Sequence, residues 1–340
     1  MPLCFRNSRV SSGCIAVASL GATLAILASA CYAIGRRIPP DLRLLDPRRR
    51  PTIDEAFAAY PIAYALNSDE RNDVVFFGDS TCRVGIDPLE FQRITGLKAF
   101  NLGSSGKLGG NGMAVTVMAY LTLHPKPRAL VMCVSPFCFE RDAGTIGGAF
   151  PARFAANYGP EVSGVVSELD GISYFARRGA VSICEEGQNV LDVPLDGYER
   201  DTFHSLQAKM LASRGYMELP GARRPRPSTE RPGPETIVKP DWDGWVQFLA
   251  ESCAPTRLLI QFTPISREDA DARDWTQLET WAREISSRHA NVSVYRPIIT
   301  LYDLDAMWDN MHMNRKGTEA FMPIVAKDVQ EALRKEPRGR

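Results

Sequence analysis

Residues 74–83 read VVFFGDSTCR, an apolar run broken by Gly78-Asp79 and followed at once by Ser80. Four apolar residues closed by a turn signal mark a buried strand. Glycine lets the chain turn there without a side-chain clash. A serine just past the carboxyl end of a strand stands where open α/β sheets bind ligands. Gly, Asp and Ser are equally common in plain strand-end turns, so this tripeptide alone does not demand chemistry.

The same grammar repeats outward from it. Pro88 to Thr95 suits a short helix, and Lys98 to Leu102 a second strand that runs into the glycine-rich GSSGKLGGNG. Met113 to Leu123 reads as a helix, and Ala129 to Val134 as a third strand stopped by Ser135-Pro136. Arg257 to Phe262 and Val292 to Tyr295 are the fourth and fifth strands. Between them Trp275, Leu278, Ala282 and Ile285 fall at helical spacing. Phe321, Ile324, Val325 and Val329 mark a final amphipathic helix, with Pro323 expected in its first turn. Strands alternating with helices predict an α/β fold: a mainly parallel sheet covered by helices on both faces, in three layers. The stretch from about 140 to 240 breaks the rhythm and contains GARRPRPSTERPGP. It reads as an insertion between the third and fourth strands, of the kind that shapes a substrate cleft.

Composition narrows the function classes. Forty basic and forty acidic side chains cancel, so no global field favours nucleic acid. Eight cysteines contain no C-x-x-C pair, which argues against a zinc site and a dense disulfide framework. Only four histidines are present, His124, His204, His289 and His312, so a histidine-dependent reaction has few candidates. Neither a metal nor an organic cofactor is expected.

From Cys14 to Ile34 the chain reads CIAVASLGATLAILASACYAI, without a charge. About 20 such residues span a bilayer as a helix, and Arg6 and Arg9 precede the run like the positive region of an export signal. Three outcomes stay open: an uncleaved single-pass anchor, cleavage after Ala28-Ser29-Ala30, or a lipoprotein signal using Cys31. The flank from Arg36 to Arg50 is the more basic one, which opposes simple export under the positive-inside bias. The expected organisation is a signal-anchor over 1–35, a linker and lead-in over 36–70, and a catalytic domain over 71–336. That domain is expected outside the cytoplasm, on the periplasmic or extracellular side.

Near the C-terminus, residues 309–317 read DNMHMNRKG. Asp309 and His312 stand three apart, as neighbours on one face of a helical turn. An aspartate so placed accepts from one imidazole nitrogen and fixes the tautomer, leaving the other nitrogen to take a proton from Ser80. Read separately, His312 is a surface histidine and Asp309 a helix-start cap.

The order of three motifs carries a resemblance. GDS follows the first strand, Asn101-Leu102-Gly103-Ser104-Ser105-Gly106 follows the second as N-x-G-x-x-G, and D-x-x-H-x-N-x-x-G precedes the last helix. In this the chain resembles the SGNH (GDSL-type) hydrolase superfamily over roughly 74–334, around the insertion. The resemblance implies a flavodoxin-like three-layer fold, Ser80 as nucleophile, and His312 with Asp309 completing a triad. It also implies an oxyanion hole from the backbone amides of Ser80 and Gly106. One block departs. The family's third motif, G-x-N-D, ends a strand and supplies an oxyanion asparagine, whereas here the strand reads ALVMCVSPFCFE. Ser135 is the nearest replacement donor, with Asn111 behind it.

The departure and the N-terminal run are similar to a subset tied to cell-envelope polysaccharide O-acetylation. The expected activity is ester hydrolysis or O-acyl transfer, with an acyl ester or acetylated carbohydrate as substrate, and envelope proteins as further partners. The alternative is an inactive module of the same fold that binds glycan or a membrane partner. Among other candidates, Cys82 reads as packed, Trp308 as packing or a sugar subsite, Arg223, Arg224 and Arg226 as a solvated loop, and Asp303 and Asp305 as worse-spaced carboxylates.

Overall fold

The computed structural model describes residues 12–37, 61, 64, 65, 68, 70–106, 109–141, 143, 209–219, 238–270 and 273–334. These fall in two compact units, with residues 12–37 in one and the rest in the other. The first unit's described part is a single helix, α1 (Ser12–Arg37), which contains the apolar run. Among the described residues no helix is long and apolar enough to cross a membrane. The described side chains of α1 are 19–31 and 33, so the ends of the expected span fall outside them.

The second unit is an α/β domain around a five-stranded parallel sheet. Its strands are β1 (Val74–Gly78), β2 (Ala99–Asn101), β3 (Ala129–Val134), β4 (Arg257–Phe262) and β6 (Val292–Val294). They lie in the order β2-β1-β3-β4-β6, and every pair is parallel. This is a doubly-wound order with its switch point between β1 and β3. A second, two-stranded parallel sheet joins β5 (Ile265–Ser266) to β7 (Leu301–Tyr302).

All residues of β1 and β3 are buried. Strands covered on both faces need apolar side chains at every position, which is why these segments read as unbroken apolar runs. The alternation of a strand then sorts them. Val75, Phe77, Leu130, Met132, Leu258 and Ile260 point into one core. Helices α4 (Gly109–Leu123), α5 (Asp241–Cys253) and α7 (Thr276–Arg288) pack there through Met113, Val117, Trp242, Leu249, Leu278 and Ile285. Val74, Phe76, Val131, Cys133 and Leu259 point into the other. That face is met by α2 (Ser80–Gly85), α3 (Pro88–Thr95) and α8 (Arg315–Arg334) through Cys82, Phe91, Phe321 and Val325. Two cores on opposite faces of one sheet are compatible with three layers. A one-turn helix, α6 (Arg267–Ala270), follows β5.

Pro323 does not open the last helix. Asn314 caps α8 with its backbone carbonyl bonded to the Thr318 amide and its side-chain oxygen to the Gly317 amide, so the helix begins at Arg315. Pro323 therefore lies inside the helix, on its exposed side. Its missing N–H falls where water can bond the freed carbonyl, which makes the position tolerable.

The described part of the insertion, residues 209–219, runs along the outer edge of β2. The Asn101 amide donates to the Arg214 carbonyl at 3.0 Å. The Arg214 guanidinium reaches the Ala99 carbonyl and the Asn72 side chain, both at 2.6 Å, and pairs with Glu70 at 3.0 Å. Further on, the Met217 amide donates to the Arg83 carbonyl at 3.1 Å, which ties the insertion to the helix that begins at Ser80. An edge strand whose N–H and C=O row is paired in this way is closed to other chains.

Candidate active site

Ser80 opens α2 directly beyond β1, at the switch point of the sheet. Gly78 makes this approach possible. Its φ is +154°, and a Cβ there would lie 1.8 Å from the Cys133 carbonyl oxygen of β3. Only a residue without a side chain lets β1 turn while still registered against β3.

Asp79 then caps the new helix and does more. One carboxylate oxygen accepts from the Thr81 amide at 2.8 Å and the Thr81 hydroxyl at 2.6 Å. The other accepts from the Ser135 amide at 3.2 Å. Thr263, just past β4, extends the chain by donating its hydroxyl to Thr81 Oγ1 at 2.9 Å. The ends of β1, β3 and β4 are thus joined by one buried hydrogen-bonded set, whose charge is offset by donors aimed at it. Sequence reading treated Asp79 as a turn residue and passed over Thr263. The only available signal was position, since each follows a strand.

Asn101 gives the second motif its physical role. Its amide nitrogen donates to the carbonyls of Cys82 and Ile86, both at 2.9 Å, and its oxygen accepts from the Gly103 amide at 2.7 Å. One buried side chain thereby fastens α2 to the loop after β2. The same loop brings Gly106 beside the residue that precedes Ser80: a Cβ on Gly106 would lie 3.7 Å from Asp79 Cβ.

The histidine arrives from the other end of the chain. Residues 307–313 form a tight bend closed by a bridge between Met307 and Met313, and the Trp308 amide donates to the His312 carbonyl at 2.7 Å. Asp309 and His312 do not share a helical turn, as their spacing suggested. Asp309 Oδ1 instead accepts from the amides of Met311 and His312, at 2.9 and 2.7 Å, and the side chain curls back over its own loop. Asn314 holds the bend from below, donating to the carbonyls of Asp305 and Met307 at 2.9 and 3.1 Å. Gly317 lets α8 close on it, since a Cβ there would lie 2.1 Å from the Ala306 carbonyl oxygen. Thr318 bonds the Val84 carbonyl at 3.1 Å, which locks α8 against α2.

These supports bring three side chains together. His312 Nε2 lies 2.8 Å from Ser80 Oγ, and His312 Nδ1 lies 2.8 Å from Asp309 Oδ2. Burial acts to raise the Asp309 carboxyl. The hydrogen bond and charge of His312, with the amides of Met311 and His312, outweigh it and hold the group below the ordinary carboxylate value. An ionised carboxylate only accepts, so the proton sits on Nδ1 and Nε2 is left to accept from the Ser80 hydroxyl. The set is half-buried, and the Trp308 indole stands edge-on to His312 with ring centroids 6.3 Å apart.

Ser135 reaches the same neighbourhood through its backbone. Its amide is engaged by Asp79, and its hydroxyl oxygen accepts from the Phe137 amide at 3.3 Å, capping a 3-10 turn over Pro136–Glu140. Asn111 lies in α4 and its side chain is outside the described residues, as are Arg223, Arg224 and Arg226. Asp303 and Asp305 pair with Arg267 and Lys316. Cys82 is fully buried, and burial pushes its thiol well above the usual value. His124 is buried against the Ala65 carbonyl and stacked on Tyr120, a packing role. Among the described residues no group of three or more His, Cys, Asp or Glu could hold a metal ion. Neither family models nor curated proteins provide a match to this chain.

Proposed function

We propose that this chain is a serine-dependent ester hydrolase or O-acyl transferase of SGNH type. The observation that carries it is the unbroken hydrogen-bond chain from Ser80 through His312 to Asp309. The N-terminal helix, with Leu20, Leu24, Ile26 and Leu27 all exposed, supports attachment to a membrane through residues 14–34. The domain then acts on the outer side, on acylated carbohydrate of the cell envelope.

The proposed reaction uses these three side chains in turn. Ser80 Oγ attacks the ester carbonyl while its proton passes to His312 Nε2. Asp309 holds the ring in place and balances the imidazolium that forms. The amides of Ser80, at the open start of α2, and of Gly106 are the donors proposed to meet the negative charge that develops on the carbonyl oxygen. The tetrahedral intermediate collapses and expels the alcohol, which takes the proton from His312 and leaves an acyl group on Ser80. Water or a second hydroxyl then attacks that carbonyl, with His312 again the base, and releases an acid or a new ester.

A second reading has one observation in its favour. Where the third strand of such a site ends in an asparagine, this chain has Ser135, whose amide and hydroxyl oxygen are already engaged. Loss of one oxyanion donor costs on the order of 10²–10³ in rate, so a slow or inactive module that binds glycan is the rival.

Release of acetate from an aryl acetate by the purified full-length chain, with Ser80→Ala as control, decides between them. Equal rates in the two proteins sink the enzyme. A glycan acceptor in the same assay separates transfer from hydrolysis. Protease added to intact cells tests the membrane arrangement, and a fully protected domain overturns the outer location.

A further inference from the structure

We propose that Arg214, in the described part of the insertion, is a positioning residue for the reaction at Ser80. It fixes Asn101, and through Asn101 both α2 and the loop that carries Gly106. This deepens the esterase reading and rests on it for the kinetic consequence alone.

Arg214 occupies a backbone position that disfavours it. Residues 209–212 make a helical turn, closed by the Arg214 amide on the Leu211 carbonyl at 3.0 Å and the Gly215 amide on the Met210 carbonyl at 2.7 Å. The φ angle is +56° at Arg214 and +92° at Gly215. Helices that end in this left-handed way mostly use glycine or asparagine. Among the described residues Arg214 is the one non-glycine with a positive φ. Such a conformation persists where surrounding contacts over-determine it.

Those contacts all lie on β1's approach or on β2. The Arg214 carbonyl accepts from the Asn101 amide at 3.0 Å. Its guanidinium donates to the Ala99 carbonyl and the Asn72 side chain, both at 2.6 Å, pairs with Glu70 at 3.0 Å, and lies 5.9 Å from the Phe100 ring centroid. A fork of several donors on a long stem can grip that many partners at once. Gly215 keeps the chain close behind, since a Cβ there would lie 2.0 Å from the Asn101 carbonyl oxygen.

Asn101 passes this grip to the site. It ends a three-residue strand that is paired with β1 on one side, and Arg214 closes the other side. Its buried side chain donates to the Cys82 and Ile86 carbonyls and accepts from the Gly103 amide and the Cys82 thiol. The Met217 amide adds a second tie, to the Arg83 carbonyl of α2 at 3.1 Å. Glu218 also meets Arg315 at 3.3 Å, but both are exposed and this pair adds little. The helix α2 has only six residues. Isolated helices under about 12 residues are marginal, so the place of Ser80 depends on these fastenings.

The test compares the full-length chain with Arg214→Gly and Arg214→Lys. Glycine suits the left-handed backbone, so Arg214→Gly removes the guanidinium while easing the turn, which guards against a folding defect. Its kcat for aryl acetate is expected to fall about 10–100-fold, with KM within about twofold. Arg214→Lys, which keeps the charge without the fork, is expected to recover part of the loss. Hydrogen exchange gives a readout that needs no turnover. In Arg214→Gly the amides of Gly103, Arg83 and Ile86 are expected to exchange about tenfold faster, while those of β3 and β4 keep their protection. Unchanged kcat in a parent chain that hydrolyses the ester overturns the proposal. So does a loss of kcat with faster exchange in β3 and β4, which marks general loosening. If the parent and Ser80→Ala hydrolyse alike, the esterase reading falls and exchange decides alone. Faster exchange at Gly103 then keeps Arg214 as the support of α2, and unchanged exchange ends the proposal.

Discussion

His312 Nε2 meets Ser80 Oγ at 2.8 Å across 232 residues of chain. The contact is not maintained by these two side chains. It depends on Asn101 fastening α2, on Asn314 and Gly317 seating the bend on α8, and on Thr318 tying α8 to α2. The predictions separate the reacting groups from these supports.

Asp309→Asn is expected to leave the fold intact and lower kcat for aryl acetate by about 10³–10⁴-fold, because an amide can stabilise the wrong imidazole tautomer. Combining it with Ser80→Ala is expected to add nothing further, since the groups act as a unit. Steady-state kinetics of the single and double variants check both.

Asn314→Ala removes two side-chain bonds to carbonyls of the bend and the cap of α8. A loss of about 2 kcal/mol in stability is expected, with kcat falling more than KM rises, because the base is displaced rather than the substrate site. Urea melts beside kinetics show whether the two losses travel together.

Thr263→Val keeps the volume and deletes the hydroxyl that supports Thr81 and Asp79. About 1 kcal/mol of stability should go, with a several-fold lower kcat. Unchanged kinetics would make the Asp79 set purely structural.

Gly78→Ala places a methyl 1.8 Å from the Cys133 carbonyl oxygen, at a backbone angle that side chains avoid. A cost of about 3 kcal/mol or more is expected, read as a large drop in soluble yield and melting temperature. Gly106→Ala, with 3.7 Å of clearance, is expected to fold normally.

Asp328 on α8 is raised to about 6, chiefly by burial and next by the charge of Glu331. Its Oδ2 has no hydrogen-bond partner. A carboxyl whose folded value lies above its unfolded one holds its proton longer when folded. Stability therefore falls as pH rises from about 4 to 6 and stays lower above that window. Asp328→Asn is expected to raise stability at pH 7 by about 1 kcal/mol, less than the full shift because the group keeps some contact with water. No gain is expected at pH 4. Thermal melts at the two pH values test this.

Asp309 links the stability of the fold to acid. Its carboxyl is held below the ordinary value in the folded chain, so its contribution is present at neutral pH and is lost as pH falls through that lowered value. The fall in stability toward low pH is therefore expected to be shallower in Asp309→Asn than in the parent chain, read by thermal melts across the acid range.

Much of this domain was legible in the chain. Parallel strands buried on both faces read as near-continuous apolar runs, so VVFF, ALVMCV and the LLI of RLLIQF announced themselves, and their alternation with helices implied one parallel sheet. Ser80, Asp309 and His312 could be named because the residue types a nucleophile, a base and an orienting carboxylate require are few, and the structure brings these three side chains together. Local pattern could not fix where α8 begins, because the cap at Asn314 outweighs the start signal of Pro323. Nor could it give the shape of the 309–312 bend, since Asp309 spends one oxygen on its own backbone and the other on the ring. Asp79, Thr263 and Asn101 carry the support of the site through bonds that reach residues as far as 182 positions away. Such contacts have no period and no composition. They exist only once parallel strands set several chain ends side by side, and so the sequence named Ser80, Asp309 and His312 while the tertiary structure decided how they are held.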